Sequence, residues 1–234
     1  SDATVTFNEV RTDGTCANAY TLTRTWTATD VCGNETSATQ IITVQDTTAP
    51  TFTTTAPADV TVECDAVPTA ATLVATDNCS DAIVTFNEVR TDGTCANAYT
   101  LTRTWTATDV CGNATSVSQI VTVQDTTAPE ITTQASNIEV ECDGSGNTTT
   151  LSSWLASNGG AVATDNCSAV TWTNNFTSLT DSCGTTPATV IFTATDDCGN
   201  TSTSSATFKI KDTTAPTFTT PAPADVTVEC DAVP

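Results

Sequence analysis

The chain has 234 residues, with 27 acidic side chains against six basic ones, a formal charge of −21, no histidine and eleven cysteines. Such a charge is repelled by nucleic acid and by anionic membrane, which excludes both as partners, and the lack of histidine removes the commonest general base and metal ligand. Eleven cysteines without histidine and without CxxC spacing imply disulfides in an oxidising compartment rather than zinc. No apolar run is long enough to span a bilayer and no signal peptide is present, so the expectation is a mature or internal piece of an exported protein. Abundant threonine without helical periodicity points to an all-β protein of more than one small domain.

In chain order, Tyr20, Leu22, Trp26 and Ala28 fall on one side of an alternating pattern and Thr21, Thr23, Thr25, Thr27 and Thr29 on the other, the period of a half-buried strand. Asp-Val-Cys-Gly-Asn then supplies a turn, and a second strand, 40–44, runs into Asp46–Pro50. Residues 1–50 return as 80–129 with five changes (Thr4/Ile83, Glu35/Ala114, Ala38/Val117, Thr39/Ser118, Ile42/Val121), and 51–68 return as 217–234 with one, Thr55 to Pro221. This self-similarity divides the chain into a partial repeat 1–50, a full repeat 51–129, a divergent repeat 130–216 and the opening of another at 217–234. Within 51–129 the expected strands are 59–63, 71–76, 83–89, 99–109 and 119–124, with a further one before Pro57, giving a β-sandwich of six or seven strands. Trp105, Leu101, Phe86 and Val62 are the expected core, Trp105 becoming Phe192 in the divergent repeat, which also carries an insertion at 144–160 that suits a surface loop or short helix.

Each repeat is below the size at which a hydrophobic core alone suffices, so cross-links are needed. If successive strands run up and down, Cys64 and Cys95 end at the top and Cys79 and Cys111 at the bottom. A bridge from Cys95 to Cys111 would have to span a strand of about 30 Å. The expected pairs are Cys64–Cys95 and Cys79–Cys111 and, by analogy, Cys142–Cys183 and Cys167–Cys198; Cys16, Cys32 and Cys230 then have partners outside this sequence. The same up-and-down arrangement gathers Asp46, Asp77, Asp109 and Asn113 at one junction and Asp125, Asp165, Asp196 and Asn200 at the next. Carboxylate, amide and carbonyl oxygens in a loop-rich site suit Ca²⁺, which would stiffen a chain of modules. The alternative is that these residues cap turns through nearby backbone amides, and no DxDxDG loop is present.

Thr-Asp-Asn-Cys-Ser (76–80), Arg-Thr-Trp-Thr-Ala-Thr-Asp-Val-Cys-Gly-Asn (103–113) and the junction Val-Gln-Asp-Thr-Thr-Ala-Pro (123–129) resemble the HYR-like, immunoglobulin-like tandem repeats of very large Bacteroidota surface adhesins. Those include adhesins exported by type IX secretion and, in gliding species, carried along the cell surface. The resemblance covers essentially the whole chain. It implies tandem immunoglobulin-like β-sandwiches forming an elongated rod, and bacterial immunoglobulin-like adhesin repeats with similar Asp-rich junctions bind calcium. It also suggests Asp-Thr-Thr O-glycosylation at Thr47, Thr126 and Thr213, against the simpler reading of a linker turn before proline.

The expected function is therefore mechanical: a shaft of an extracellular adhesin or surface filament, giving length, stiffness and protease resistance. Its partners would be neighbouring repeats, other copies in a filament, and a surface or polysaccharide ligand gripped by a tip elsewhere. Paired carboxylates recur in near-identical copies on turns, which argues against a single catalytic pocket and so against an enzyme. The alternatives are polysaccharide-binding repeats, for which Trp154 is the obvious aromatic, or accessory domains of a secreted enzyme.

Overall fold

The computed structural model describes residues 2–179, 183 and 186–231. It is nearly all-β, with 47% strand and 7% helix. The strands, in chain order, are β1 (Ala3–Asp13), β2 (Tyr20–Asp30), β3 (Glu35–Val44), β4 (Thr51–Phe52), β5 (Val60–Glu63), β6 (Ala75–Thr76), β7 (Ile83–Asp92), β8 (Tyr99–Thr108), β9 (Ala114–Gln124), β10 (Glu130–Thr133), β11 (Ile138–Glu141), β12 (Val162–Thr164), β13 (Thr171–Asn174), β14 (Ala188–Thr195) and β15 (Thr201–Lys211). One α-helix, α1 (Thr148–Ala156), lies in the insertion.

The chain divides into two compact units. The first comprises 1–129 together with the loops 165–170 and 195–200. It holds the three-stranded sheet β1-β2-β3, the four-stranded sheet β5-β9-β8-β7 and the short ribbon β4-β6. In the four-stranded sheet β8 is antiparallel to β7 and β9, while β5 lies parallel to β9, with Val60 opposite Val121 and Val62 opposite Val123. Side chains alternate along β8: Leu101, Arg103, Trp105 and Ala107 are buried and the threonines between them are not. Leu101, Val121 and Val123 form the core with Val60, Val62 and Tyr99 against them, and the Trp105 indole N–H donates to the Ala71 carbonyl at 2.9 Å. Arg103 shares the buried face because Pro68 O, Glu88 and Gln119 all accept from its guanidinium.

The second unit comprises 130–164, 171–194 and 201–234. Its main sheet, β11-β15-β14-β13, repeats the order of the first, with β11 parallel to β15. Helix α1 supplies what the smaller Phe192 leaves unfilled: the Trp154 ring sits 5.2 Å from Phe192 and 5.6 Å from Phe208, and its N–H donates to Ser136 O at 3.1 Å. Gly159 touches this core, and a Cβ there would stand 2.9 Å from the Phe192 ring.

Several expectations are corrected. Phe86 is 48% exposed rather than core, and of the strand expected at 71–76 only Ala75–Thr76 pairs. Trp154 is 7% exposed and offers no surface platform. The cysteine pairs are Cys16–Cys111, Cys64–Cys167, Cys95–Cys198 and Cys142–Cys183, so the expected Cys64–Cys95, Cys79–Cys111 and Cys167–Cys198 do not form, and Cys16 finds its partner within this sequence. The sheet order explains the first. Cys64 follows β5 and Cys95 follows β7, which are opposite edges of one sheet, about 14 Å apart at the usual strand spacing and beyond the ~6 Å a disulfide allows between Cα atoms. In the divergent repeat the connection from β13 to β14 runs over 175–187 instead of the short 93–98, so Cys183 reaches Cys142, Cα to Cα 5.3 Å. The Asp197 amide donates to Ser168 Oγ at 3.1 Å, so Cys167 and Cys198 lie near one another, but Cys111 is bonded to Cys16, Cys167 to Cys64 and Cys198 to Cys95, which leaves Cys79 without a bridge.

Candidate functional site

The turn after β8 shows how the acidic motif folds. Gly112 adopts φ +89°, which a residue without a side chain accommodates, and this brings the Cys111 and Asn113 amides onto Asp109 Oδ1 at 2.8 and 2.9 Å. Asn113 Nδ2 donates to Asp109 Oδ2 at 2.8 Å and also to the linker carbonyl of Asp46 at 3.1 Å. Asp196 and Asn200 repeat this, with Asn200 Nδ2 reaching Asp125 O at 3.0 Å. Asp30 and Asn34 make the same turn. Of the eight expected cation ligands, Asp109, Asn113, Asp196 and Asn200 therefore spend their side chains bracing the hairpin against the linker. Burial works against ionisation of Asp109 and Asp196, but the donors around them outweigh it and hold both carboxyls below the usual range.

The other four converge in two pairs. Asp46, Asp77 and Cys79 present ligand atoms within 4.8 Å of one another, as do Asp125, Asp165 and Cys167. Asp77 Oδ1 accepts the Cys79 and Ser80 amides, and Asp165 Oδ1 those of Cys167 and Ser168, so in each case one oxygen is fixed by a turn and the other is aimed away from it. The outward oxygens of Asp46, Asp77 and Asp165, and both oxygens of Asp125, are buried without a hydrogen-bond partner. Asp46 and Asp125 are only 8% and 7% exposed, so the unpartnered oxygens are desolvated, although Asp46 Oδ1 still accepts the Thr48 amide at 3.3 Å. Burial pushes the Asp125 carboxyl upward, and Asp165, Asp196 and Glu63 add to it. The free Cys79 thiol is likewise pushed up by burial and by Asp46, Asp77 and Asp109. Cys167 is bridged to Cys64, leaving oxygen as the donor type at the second pair. Two carboxylates facing one another within a loop are a donor set for a hard divalent cation, which would neutralise them where the protein itself supplies no counter-charge.

The sequence reading missed Glu63 and Glu141. Glu63 accepts the Thr126 amide and hydroxyl at 3.0 and 2.5 Å, and Glu141 accepts those of Thr213 at 2.6 and 2.9 Å. The hydroxyls of two of the three Asp-Thr-Thr candidates are therefore engaged, while Thr47 is exposed. The recurring Val-Glu-Cys before each DTTAP partner was the available signal.

Residues 52–123, the span holding Cys64, Cys79, Cys95 and Cys111, match the family model of the HYR-like domain with 4 cysteines. Among solved structures, similarity extends to protocadherin gamma B7 cadherin domains 1–4, at 12% identity over 90% of this chain and 67% of that one, with a TM-score of 0.38. Drosophila N-cadherin EC1-4 aligns at 10% identity over 91% and 67%, TM-score 0.30, and human mucin-like protocadherin EC1-2 at 16% over 70% and 98%, TM-score 0.31. No curated protein matches the chain. No helix among the described residues is long and apolar enough to cross a membrane.

Proposed function

We propose that this chain is part of the structural shaft of an extracellular repetitive adhesin or surface filament, without catalytic activity of its own. The observation that carries the reading is the long reach of three disulfides in the first unit. Cys16–Cys111, Cys64–Cys167 and Cys95–Cys198 join cysteines 95, 103 and 103 residues apart, so tension applied along the backbone meets covalent bonds that skip from one repeat to the next. Asn113 and Asn200, tied to the linker carbonyls of Asp46 and Asp125, hold the hairpin turns against the same connections. Ca²⁺ at Asp46/Asp77 and Asp125/Asp165 would stiffen them further. The match to an HYR-like domain and the cysteine-rich composition support a place outside the cell, with neighbouring repeats as the immediate partners and any surface or polysaccharide ligand held elsewhere. Burial of Trp154 removes the aromatic on which a polysaccharide-binding alternative depended.

Immunogold electron microscopy of intact cells and culture fluid, with an antibody raised against residues 51–129, tests this. Label strung along cell-anchored threads is the expected result; label confined to compact soluble particles in the medium overturns it.

A further inference from the structure

The full repeat 51–129 has repeat sequence on both sides of it in the chain, and its main sheet, β5-β9-β8-β7, ends on β7; among the described residues no strand lies beyond that one. β7 runs unbroken for ten residues, Ile83–Asp92, without proline and without a shift of register against β8. Such an edge presents a row of backbone N–H and C=O groups pointing away from its sheet, a template for another strand. The corresponding edge of the divergent repeat is blunted. β13 has only four residues, and just beyond it the Asn175 side chain, rather than its backbone carbonyl, accepts the Ile191 amide.

Apolar side chains stand on both faces of the β7 edge. On the inner face, which β7 shares with Trp105, the Phe86 ring lies 5.3 Å from the indole, yet Phe86 is 48% exposed where Trp105 is 1%. On the outer face Ile83 and Val89 are 69% and 51% exposed, opposite Thr108 and Thr102 of β8. The charges of the strand are already matched at home: Glu88 accepts from Arg103 at 2.7 Å, and Arg90 pairs with Asp92 at 2.6 Å while lying over the Tyr99 ring.

We propose that β7 pairs with β7 of a second copy of this chain, antiparallel and about a two-fold axis at Phe86, joining two four-stranded sheets into one of eight strands. The sequence of the strand selects this occupant. An axis normal to the sheet keeps inner face beside inner face, so the register slides only in steps of two residues. With the axis at Phe86, the two Phe86 rings face one another, Ile83 faces the second copy's Val89, Thr85 faces Asn87, Val84 faces Glu88 and Ala82 faces Arg90. All three exposed apolar side chains thereby gain apolar cross-strand partners, no like charges stand opposite, and the rings form a row from one Trp105 to the other. A slide of two residues one way sets Phe86 against Glu88, and the other way sets Val89 against Asp81. β1 carries the same strand with Thr4 in place of Ile83, so Val10 there has no apolar partner to meet. The contact is isologous and closes at two copies. It stands without the shaft reading and without cation binding; in a shaft it is the lateral link between chains of a filament.

The test is sedimentation velocity of the intact chain across a wide range of concentration, with the free thiols of Cys32, Cys79 and Cys230 blocked by iodoacetamide, together with amide hydrogen exchange read by mass spectrometry. The expected result is a reversible monomer–dimer equilibrium in which the peptide spanning 83–89 takes up deuterium more slowly in the dimer while that spanning 4–10 is unchanged. Phe86→Asp and Val89→Asp each raise the dimer dissociation constant by more than about tenfold, because each sets a carboxylate against an apolar side chain. Val89 lies on the outer face away from the core, so its variant keeps the fold and the four bridges, checked by circular dichroism and a non-reducing peptide map. Phe7→Asp and Val10→Asp, the same changes in β1, leave the equilibrium as it is. A chain still monomeric at about 1 mM, a dimer in which 83–89 exchanges as in the monomer, or a dimer weakened equally by the β1 substitutions overturns the proposal.

Discussion

Removing the Cys95–Cys198 bridge separates the observed cysteine pairing from the intra-repeat one. The bridge closes a loop of 103 residues' separation, but Cys64–Cys167 already ties the same two stretches together. With Cys64–Cys167 closed, the route from Cys95 to Cys198 shortens to about 62 residues, which the chain-entropy description values at about 4.3 kcal/mol instead of about 4.7 for the open loop. Cys95→Ala, Cys198→Ala and the double variant should therefore each lose about 4 kcal/mol in urea denaturation, because all three break one and the same bond. Were Cys95 bonded to Cys64 and Cys198 to Cys167, the two single substitutions would break different bridges and the double variant would lose their sum. An additive double variant refutes the pairing, as does a non-reducing peptide map containing a Cys64–Cys95 fragment.

Other outcomes follow from named contacts. Asp125 has a raised folded-state pKa, so the stability it contributes is present below the usual carboxylate value of about 3.9 and is lost as pH rises through the raised one. Asp125→Asn should accordingly raise the melting temperature at pH 7 in chelator and, with Ca²⁺ bound at the proposed site, should remove the wild type's gain on adding Ca²⁺, about 2.7 kcal/mol at a hundredfold excess over Kd. Asp109 and Asp196 have the opposite sign: lowered in the fold, they stabilise above about 3.9 and lose that contribution as pH falls through their folded values, so Asp109→Asn should flatten the acid limb of a stability–pH curve. Trp105→Ala empties a 1% exposed site and should cost about 3–5 kcal/mol by chemical denaturation, and Trp26→Ala, at 37% exposure, less than half of that. Gly159→Ala meets both φ +65° and the Phe192 ring at 2.9 Å and should cost about 1–3 kcal/mol, read as a lowered urea midpoint.

Period-two alternation along β2 and β8, the Asp-x-Cys-Gly-Asn turns and the letter-for-letter repeats are local signals, and they determined strand type, the repeat boundaries in sequence and the oxidising chemistry of the cysteines. The alternation also identified Leu101 and Trp105 as core, because which face of a strand is apolar is written in neighbouring residues. Phe86 defeated the same rule, since β7 is an edge strand whose inner face has little to cover it. Asp46 and Asp109 read alike as linear motifs; only the fold spends Asp109 on three turn donors and leaves an Asp46 oxygen buried and bare. The cysteine partners were decided at the same level. Strand direction correctly puts Cys64 and Cys95 at one end of a repeat, but the lateral order β5-β9-β8-β7 sets them on opposite edges, and lateral order arises from contacts between residues far apart in the chain, which no local pattern encodes.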